Sequence, residues 1–100
     1  MIRPTSLEEM LNLVKGIEHD YPDLALFFGR ESLLYFITRC IHWSVSITDF
    51  FRFLNKVISY TDNSGSYYYG DELLSEVVKM YADGALVHDM VKTLEKAKVS

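Results

Sequence analysis

Cysteine is nearly absent from this 100-residue chain, and the single thiol, Cys40, can close no internal disulfide. The cross-linked framework of a small secreted domain is therefore excluded, and a reducing compartment is expected. Long apolar runs are lacking as well. The richest stretch, residues 33–47, is interrupted by Thr38, Arg39, His42 and Ser44, and falls short of the roughly 20 residues that span a bilayer. The opening Met1-Ile2-Arg3-Pro4-Thr5 passes into a polar amphipathic segment without the apolar core and small-residue cleavage site of a signal peptide. A cytoplasmic protein that does not enter membranes is the expectation.

Groupings that carry chemistry are equally scarce. His19, His42 and His88 fall on three separate segments, with no H-x-x-x-H or C-x-x-C pair among them and Cys40, whereas metal ligands come in clusters. Helical neighbours of Cys40 four residues away are Phe36 and Ser44, neither of them a base that could activate a thiolate. Glu8-Glu9 and Asp71-Glu72 sit where first helical turns are expected, and there the helix dipole stabilises negative charge without any acid-base role. Gly16, Gly29, Gly65, Gly70 and Gly84 belong to neither a G-x-x-x-x-G-K-[ST] nor a G-x-G-x-x-G pattern, so nucleotide binding has no support. A helix-turn-helix over residues 33–57 would read DNA with phenylalanines and only Arg52 and Lys56. The expectation is a protein that is not an enzyme, needs no cofactor or metal, and does not bind nucleic acid directly.

What the chain does contain is the material of one small helical domain. Hydrophobic residues make up 49% and charged residues 24%, a globular mixture at a length that supports one core. Ser6-Leu7-Glu8-Glu9 fits a capping box, and Leu7, Met10, Leu11, Val14 and Ile17 follow at helical spacing before fraying is expected at residues 18–20. Asp20-Tyr21-Pro22-Asp23 supplies a cap and an early proline for a short helix over residues 24–28, stopped by Gly29. Residues 31–43 form the expected central helix, with Leu33, Leu34, Ile37, Cys40 and Ile41 inward and Phe36 and Trp43 widening the stripe. Ser46 caps the next, carrying Phe50, Phe51, Leu54, Val57 and Ile58, and the short link predicts a hairpin with its predecessor. Residues 61–66 are a loop; Gly70-Asp71 opens a helix closed by Asp83-Gly84. A last helix over residues 85–97 should turn Leu86, Val87, Met90, Val91 and Leu94 inward. The predicted fold is an all-α bundle of five to six short helices in a single domain, residues 1–100.

Charge and aromatics mark one region. Residues 60–91 hold Asp62, Asp71, Glu72, Glu76, Asp83 and Asp89 against Lys79 alone, a local net of −5, while residues 24–59 carry a net of +2. Within the acidic part lie Tyr67-Tyr68-Tyr69, between a turn-rich loop and a helix start. On regular backbone three adjacent tyrosines cannot all point inward; the others can cover the open end of the bundle. An exposed tyrosine is a frequent binding hot spot, offering rigid area with a polar tip. Asp62, Asp71, Glu72, Glu76 and Asp83 around it would steer a cationic partner into encounter.

Residues 50–60, the acidic turn 62–66, Tyr67-Tyr68-Tyr69 and the helix over residues 71–82 follow in an order that resembles the immunity proteins of nuclease colicins and contact-dependent inhibition toxins. In that family a helix leads through an acidic loop and a turn with paired tyrosines into another helix. The likeness implies an antitoxin that blocks a basic nuclease domain, with Tyr67, Tyr68, Asp62 and the acids after Gly70 as the toxin contacts. Tyr69-Gly70 stands where the family has proline, and the helix over residues 31–43 is additional. A helical regulator of another host protein uses the same physics, and 14 aromatic residues leave a homodimeric adaptor open. A small-molecule site would need a cavity lined by groups such as His42 and Tyr35.

Overall fold

Local signals set the helix boundaries. In the computed structural model, which describes residues 6–62, 64 and 66–99, the Ser6 hydroxyl accepts the Glu9 amide at 3.2 Å and starts α1, Leu7–Asp20. Helix α2, Pro22–Phe28, begins with proline in its first turn and ends at Gly29, whose φ of 84° is open to glycine at little cost. Helix α3, Arg30–His42, leads through a four-residue link to α4, Ile47–Ile58, which is capped by the Ser46 hydroxyl accepting the Asp49 amide at 3.3 Å. Helix α5, Asp71–Ala82, and helix α6, Val87–Glu95, complete six helices among the described residues. The structure is thus the all-α bundle that the periodicity predicts.

Burial explains why these segments pack as they do. α3 contributes Leu33, Phe36, Ile37 and Cys40, and α4 contributes Phe50, Phe51, Leu54 and Val57; these side chains are almost wholly removed from water. Phe36 meets Phe50 at 5.3 Å and Phe51 at 6.1 Å between ring centroids, so the two helices share one aromatic centre. α5 then covers α3, α6 covers α4, and α1 with α2 closes the remaining side. Arg30 at the start of α3 reaches Glu18 near the end of α1 with two hydrogen bonds, 2.8 and 3.2 Å, which orients those helices on the surface. Each partner favours the other's charged form, lowering the Glu18 carboxyl and raising the Arg30 guanidinium.

Several expectations need correction. α1 continues regularly to Asp20 rather than fraying from residue 18, and α2 is preceded by Tyr21 without a side-chain cap from Asp20. The last helix is shorter at both ends than residues 85–97. Gly84 takes φ 86° and Leu86 is extended at its N-cap, leaving the Leu86 side chain 70% exposed rather than inward. At the other end Lys98–Val99 leaves the helix to pair as a strand. Leu7 also faces solvent, as does much of Trp43. Of the 14 aromatic residues only Trp43, Tyr60 and Tyr68 are exposed. Residues 1–5, together with Asn63 and Gly65 of the turn-rich loop, lie outside the described residues.

Cys40 is fully buried, and loss of hydration pushes its thiol up from the ordinary 9.0 to about 12. A folded-state value raised above the unfolded one gives stability that is complete below about pH 9 and is lost as pH rises towards 12. A thiol-specific reagent at neutral pH should therefore label Cys40 only at the rate of unfolding. Cys40→Ala should lose less stability between pH 9 and 11 than the parent chain. Rapid labelling of the native protein would contradict the buried placement.

Candidate functional site

α4 ends with the buried Thr61 hydroxyl donating to the Ile58 carbonyl at 2.8 Å, and the chain turns at Asp62. One oxygen of Asp62 accepts the Ser64 amide at 2.9 Å and its hydroxyl at 2.7 Å. The other takes the ammonium of Lys98, and the Asp62 carbonyl accepts the Tyr67 hydroxyl. Hydrogen bonding from Lys98, then from Ser64, holds the Asp62 carboxyl well below the usual carboxylate range; the same contact raises Lys98.

The three tyrosines follow on extended backbone. Strand β1, Ser66–Tyr67, pairs antiparallel with β2, Lys98–Val99, placing Ser66 opposite Val99 and Tyr67 opposite Lys98. The next amide, of Tyr68, donates to the Ala97 carbonyl at 2.9 Å. Because successive side chains of a strand point to opposite faces, Tyr67 and Tyr69 go to one side. Their rings stack on each other at 5.9 Å and lie 5.0 and 5.7 Å from Phe27. Tyr69 also packs on Phe28 at 4.9 Å. Burial disfavours the phenolate and pushes both phenols above their ordinary value, and the Tyr69 hydroxyl oxygen is enclosed without a hydrogen-bond partner among the described residues.

Tyr68 goes the other way. It is 73% exposed, and its ring edge lies beside Gly70, 3.6 Å from where a β-carbon there would stand. Gly70 is the N-cap of α5, with Asp71 and Glu72 in the first turn. Glu72, Glu76, Lys79 and Asp83 are spaced by four, three and four residues and are all exposed, which sets them in one row along the helix. The row is anionic, three carboxylates against one ammonium. It extends away from Tyr68, since eleven residues at helical rise put Asp83 roughly 16 Å beyond Glu72.

The expected site residues therefore divide. Tyr68 stands at the head of α5 with Asp71 and Glu72 nearby; Glu76 and Asp83 continue the row. Tyr67 and Tyr69 seal the end of the bundle, and Asp62 is engaged by Lys98. Lys98, Ala97 and Phe27 were not anticipated as parts of this region. Their contacts join residues some 30 to 40 positions apart, for which no local pattern exists.

Two grooves flank the outer side of α4. One, about 370 Å³, is lined by Asp23, Leu26, Phe27, Asn55, Ile58 and Ser59, and the other, about 480 Å³, by Lys56, Tyr60, Val87, His88 and Val91. His42 is exposed with its ring against Trp43 at 5.3 Å, and His19 lies on the surface beside Asp20. Among the described residues no group of three or more His, Cys, Asp or Glu side chains is arranged to hold a metal ion, and no helix is long and apolar enough to cross a membrane. No protein-family model, curated protein or solved structure matches the chain.

Two substitutions separate scaffold from surface. Replacing Lys98 by Ala should leave the helices intact but speed hydrogen exchange of the Tyr68 amide by tenfold or more; unchanged protection would mean that strand pairing holds the ribbon without the ion pair. Acidification acts in the same sense: with the Asp62 carboxyl depressed, the clasp persists below the ordinary carboxylate range and is lost only as pH falls through its lowered folded value. Tyr69→Phe should raise stability by about 1 kcal/mol in denaturant titration, since it removes an enclosed hydroxyl that has no partner. A loss instead would show that the hydroxyl is satisfied in solution.

Proposed function

We propose that the chain is a cytoplasmic antitoxin that binds a basic, nuclease-type protein toxin. Tyr68 is the anchor, and Asp71, Glu72, Glu76 and Asp83 are the charges that guide encounter. The single observation behind this reading is the display of Tyr68. Its two neighbours are packed inward and its amide is bonded to Ala97, yet its own ring is 73% exposed at the head of an anionic helix row. A large ring on a fixed backbone loses little freedom when a partner covers it, which is the property of a binding anchor.

The mechanism follows from charge. A nuclease holds its substrate through a cationic surface that meets phosphates. Carboxylates at helical spacing offer that surface competing anions and repel nucleic acid once seated, while Tyr68 enters an adjoining pocket. In this division of labour Asp62, Tyr67 and Tyr69 position the ribbon and make few contacts of their own with the toxin. The rows of long-range attraction set the association rate, and the aromatic contact sets residence time.

Affinity capture on the tagged chain from its native lysate, at low and moderate salt, should recover a basic nuclease domain. Tyr68→Ala should weaken that complex by at least about 2 kcal/mol without loss of folding, and Glu72→Lys with Glu76→Lys should slow association and flatten its salt dependence. Undiminished capture by the folded Tyr68→Ala chain, or recovery only of acidic partners, overturns the proposal.

A further inference from the structure

Strand β1 has two edges, and β2 occupies only one of them. The Tyr68 amide donates to the Ala97 carbonyl across the ribbon, and Tyr67 stands opposite Lys98. In an antiparallel ladder bonded and non-bonded pairs alternate, so Ser66 and Tyr68 turn their backbone groups towards β2 and Tyr67–Lys98 is a non-bonded pair. The amide and carbonyl of Tyr67 and of Tyr69 therefore point away from β2. None of these groups has a hydrogen-bond partner among the described residues. Enclosed backbone groups are almost always paired, so this edge faces water.

The edge itself indicates its occupant. Only another extended backbone presents acceptors and donors at the alternating spacing that Tyr67 and Tyr69 leave open. Natural proteins blunt open edges with lysine or proline, yet residues 66–70 read Ser-Tyr-Tyr-Tyr-Gly, and the prolines of the chain lie elsewhere, at Pro4 and Pro22. A segment added here runs beside the Tyr68 ring, which is 73% exposed and can pack on its side chains across the pair. Gly70 follows without a side-chain cap, and then come the exposed Asp71 and Glu72, so cationic side chains at one end of the segment meet carboxylates. A second copy of this chain fits less well. It would bring its own Asp71 and Glu72 to the edge of a chain whose net charge is already −4.

We infer that the outer edge of β1 is a strand-addition site. It takes up an extended segment of a protein partner, with an apolar side chain beside Tyr68 and lysine or arginine at its flank. The side chains of Tyr67 and Tyr69 stay packed in the bundle while their backbone binds. Because the paired stretch is short, backbone hydrogen bonds set the register and Tyr68 supplies much of the affinity. Strand addition deepens the toxin-binding reading by naming how that partner is held, and rests on that reading for the partner's identity alone.

The test removes single backbone groups. Short unstructured peptides are selected from a displayed library against the whole chain, and their affinity is measured for a chain in which Tyr69 is replaced by its α-hydroxy acid, an exchange of the amide for an ester with the side chain kept. Lys and Arg should be enriched in the selected flanks. The ester should cost tenfold or more in affinity and leave the denaturant midpoint unchanged, since the Tyr69 amide has no internal partner. N-methylation along the peptide should abolish binding at alternate residues only. Absence of enrichment, selection of peptides that bind as helices, equal binding by the ester chain, or N-methyl sensitivity without alternation overturns the inference. So does a stable dimer in sedimentation that the ester dissociates. Capture of a nuclease domain that Tyr68→Ala weakens and the ester does not also sinks strand addition while the toxin reading stands; edge-binding peptides with the alternating pattern, and no nuclease domain captured, do the reverse.

Discussion

The packing of Tyr69 against Phe28 is the contact through which the exposed region is tied to the core. Phe28 meets Phe36 edge-on at 5.0 Å, Phe36 meets Phe50, and Phe50 meets Tyr81 at 5.4 Å. A continuous path of rings thus runs from the tyrosine ribbon through α2, α3 and α4 to α5. Edge-to-face pairs add about 0.5–1.5 kcal/mol each beyond burial, so several in series outweigh any single polar contact at the surface. Tyr69 on Phe28, together with Tyr67 on Phe27, gives β1 its apolar reason to lie against α2, and β1 is what the last residues of the chain pair with.

The polar clasp has a different role. Lys98 and Asp62 are both partly exposed, at 32% and 52% of their side chains, and ion pairs in such settings contribute little to stability. What the pair does is choose a conformation. It draws β2 against β1 in one register, and the Tyr67 hydroxyl on the Asp62 carbonyl fixes the turn that precedes it. Apolar contact supplies most of the free energy, while the polar contacts select which residue of the three is left facing water.

Much of this was legible in the sequence because it is local. Ser6 and Ser46 act as caps through a hydroxyl three residues from the amide they accept, and Gly29 and Gly84 mark ends that need positive φ. Period-of-two alternation required at least one of three tyrosines to face outward, though it could not say that Tyr68 would be the one. Long-range pairing was not legible. Lys96-Ala97-Lys98 has good helix propensity, and nothing nearby reveals that Asp62, 36 residues earlier, captures Lys98. For the same reason Asp62 read as a free carboxylate, and Leu86, at helical spacing from Met90, read as core although the chain enters α6 there in an extended conformation.

The same alternation that exposes Tyr68 also separates holding from binding. A side chain that both fills a core and contacts a partner must satisfy two environments at once, and a change suited to one damages the other. Here Tyr67 and Tyr69 take the burial, Tyr68 takes the exposure, and their backbone is shared. A fixed backbone lowers the conformational entropy lost when the exposed ring is covered, so the ordering cost falls largely on folding rather than on association. The acidic row on α5 belongs to another rigid element starting two residues after the last tyrosine. Its charge can vary without disturbing the rings, because Glu72, Glu76 and Asp83 point away from the Leu74, Val77 and Val78 face that packs inward. A surface organised in this way can change the charge pattern it presents while the fold beneath it stays the same.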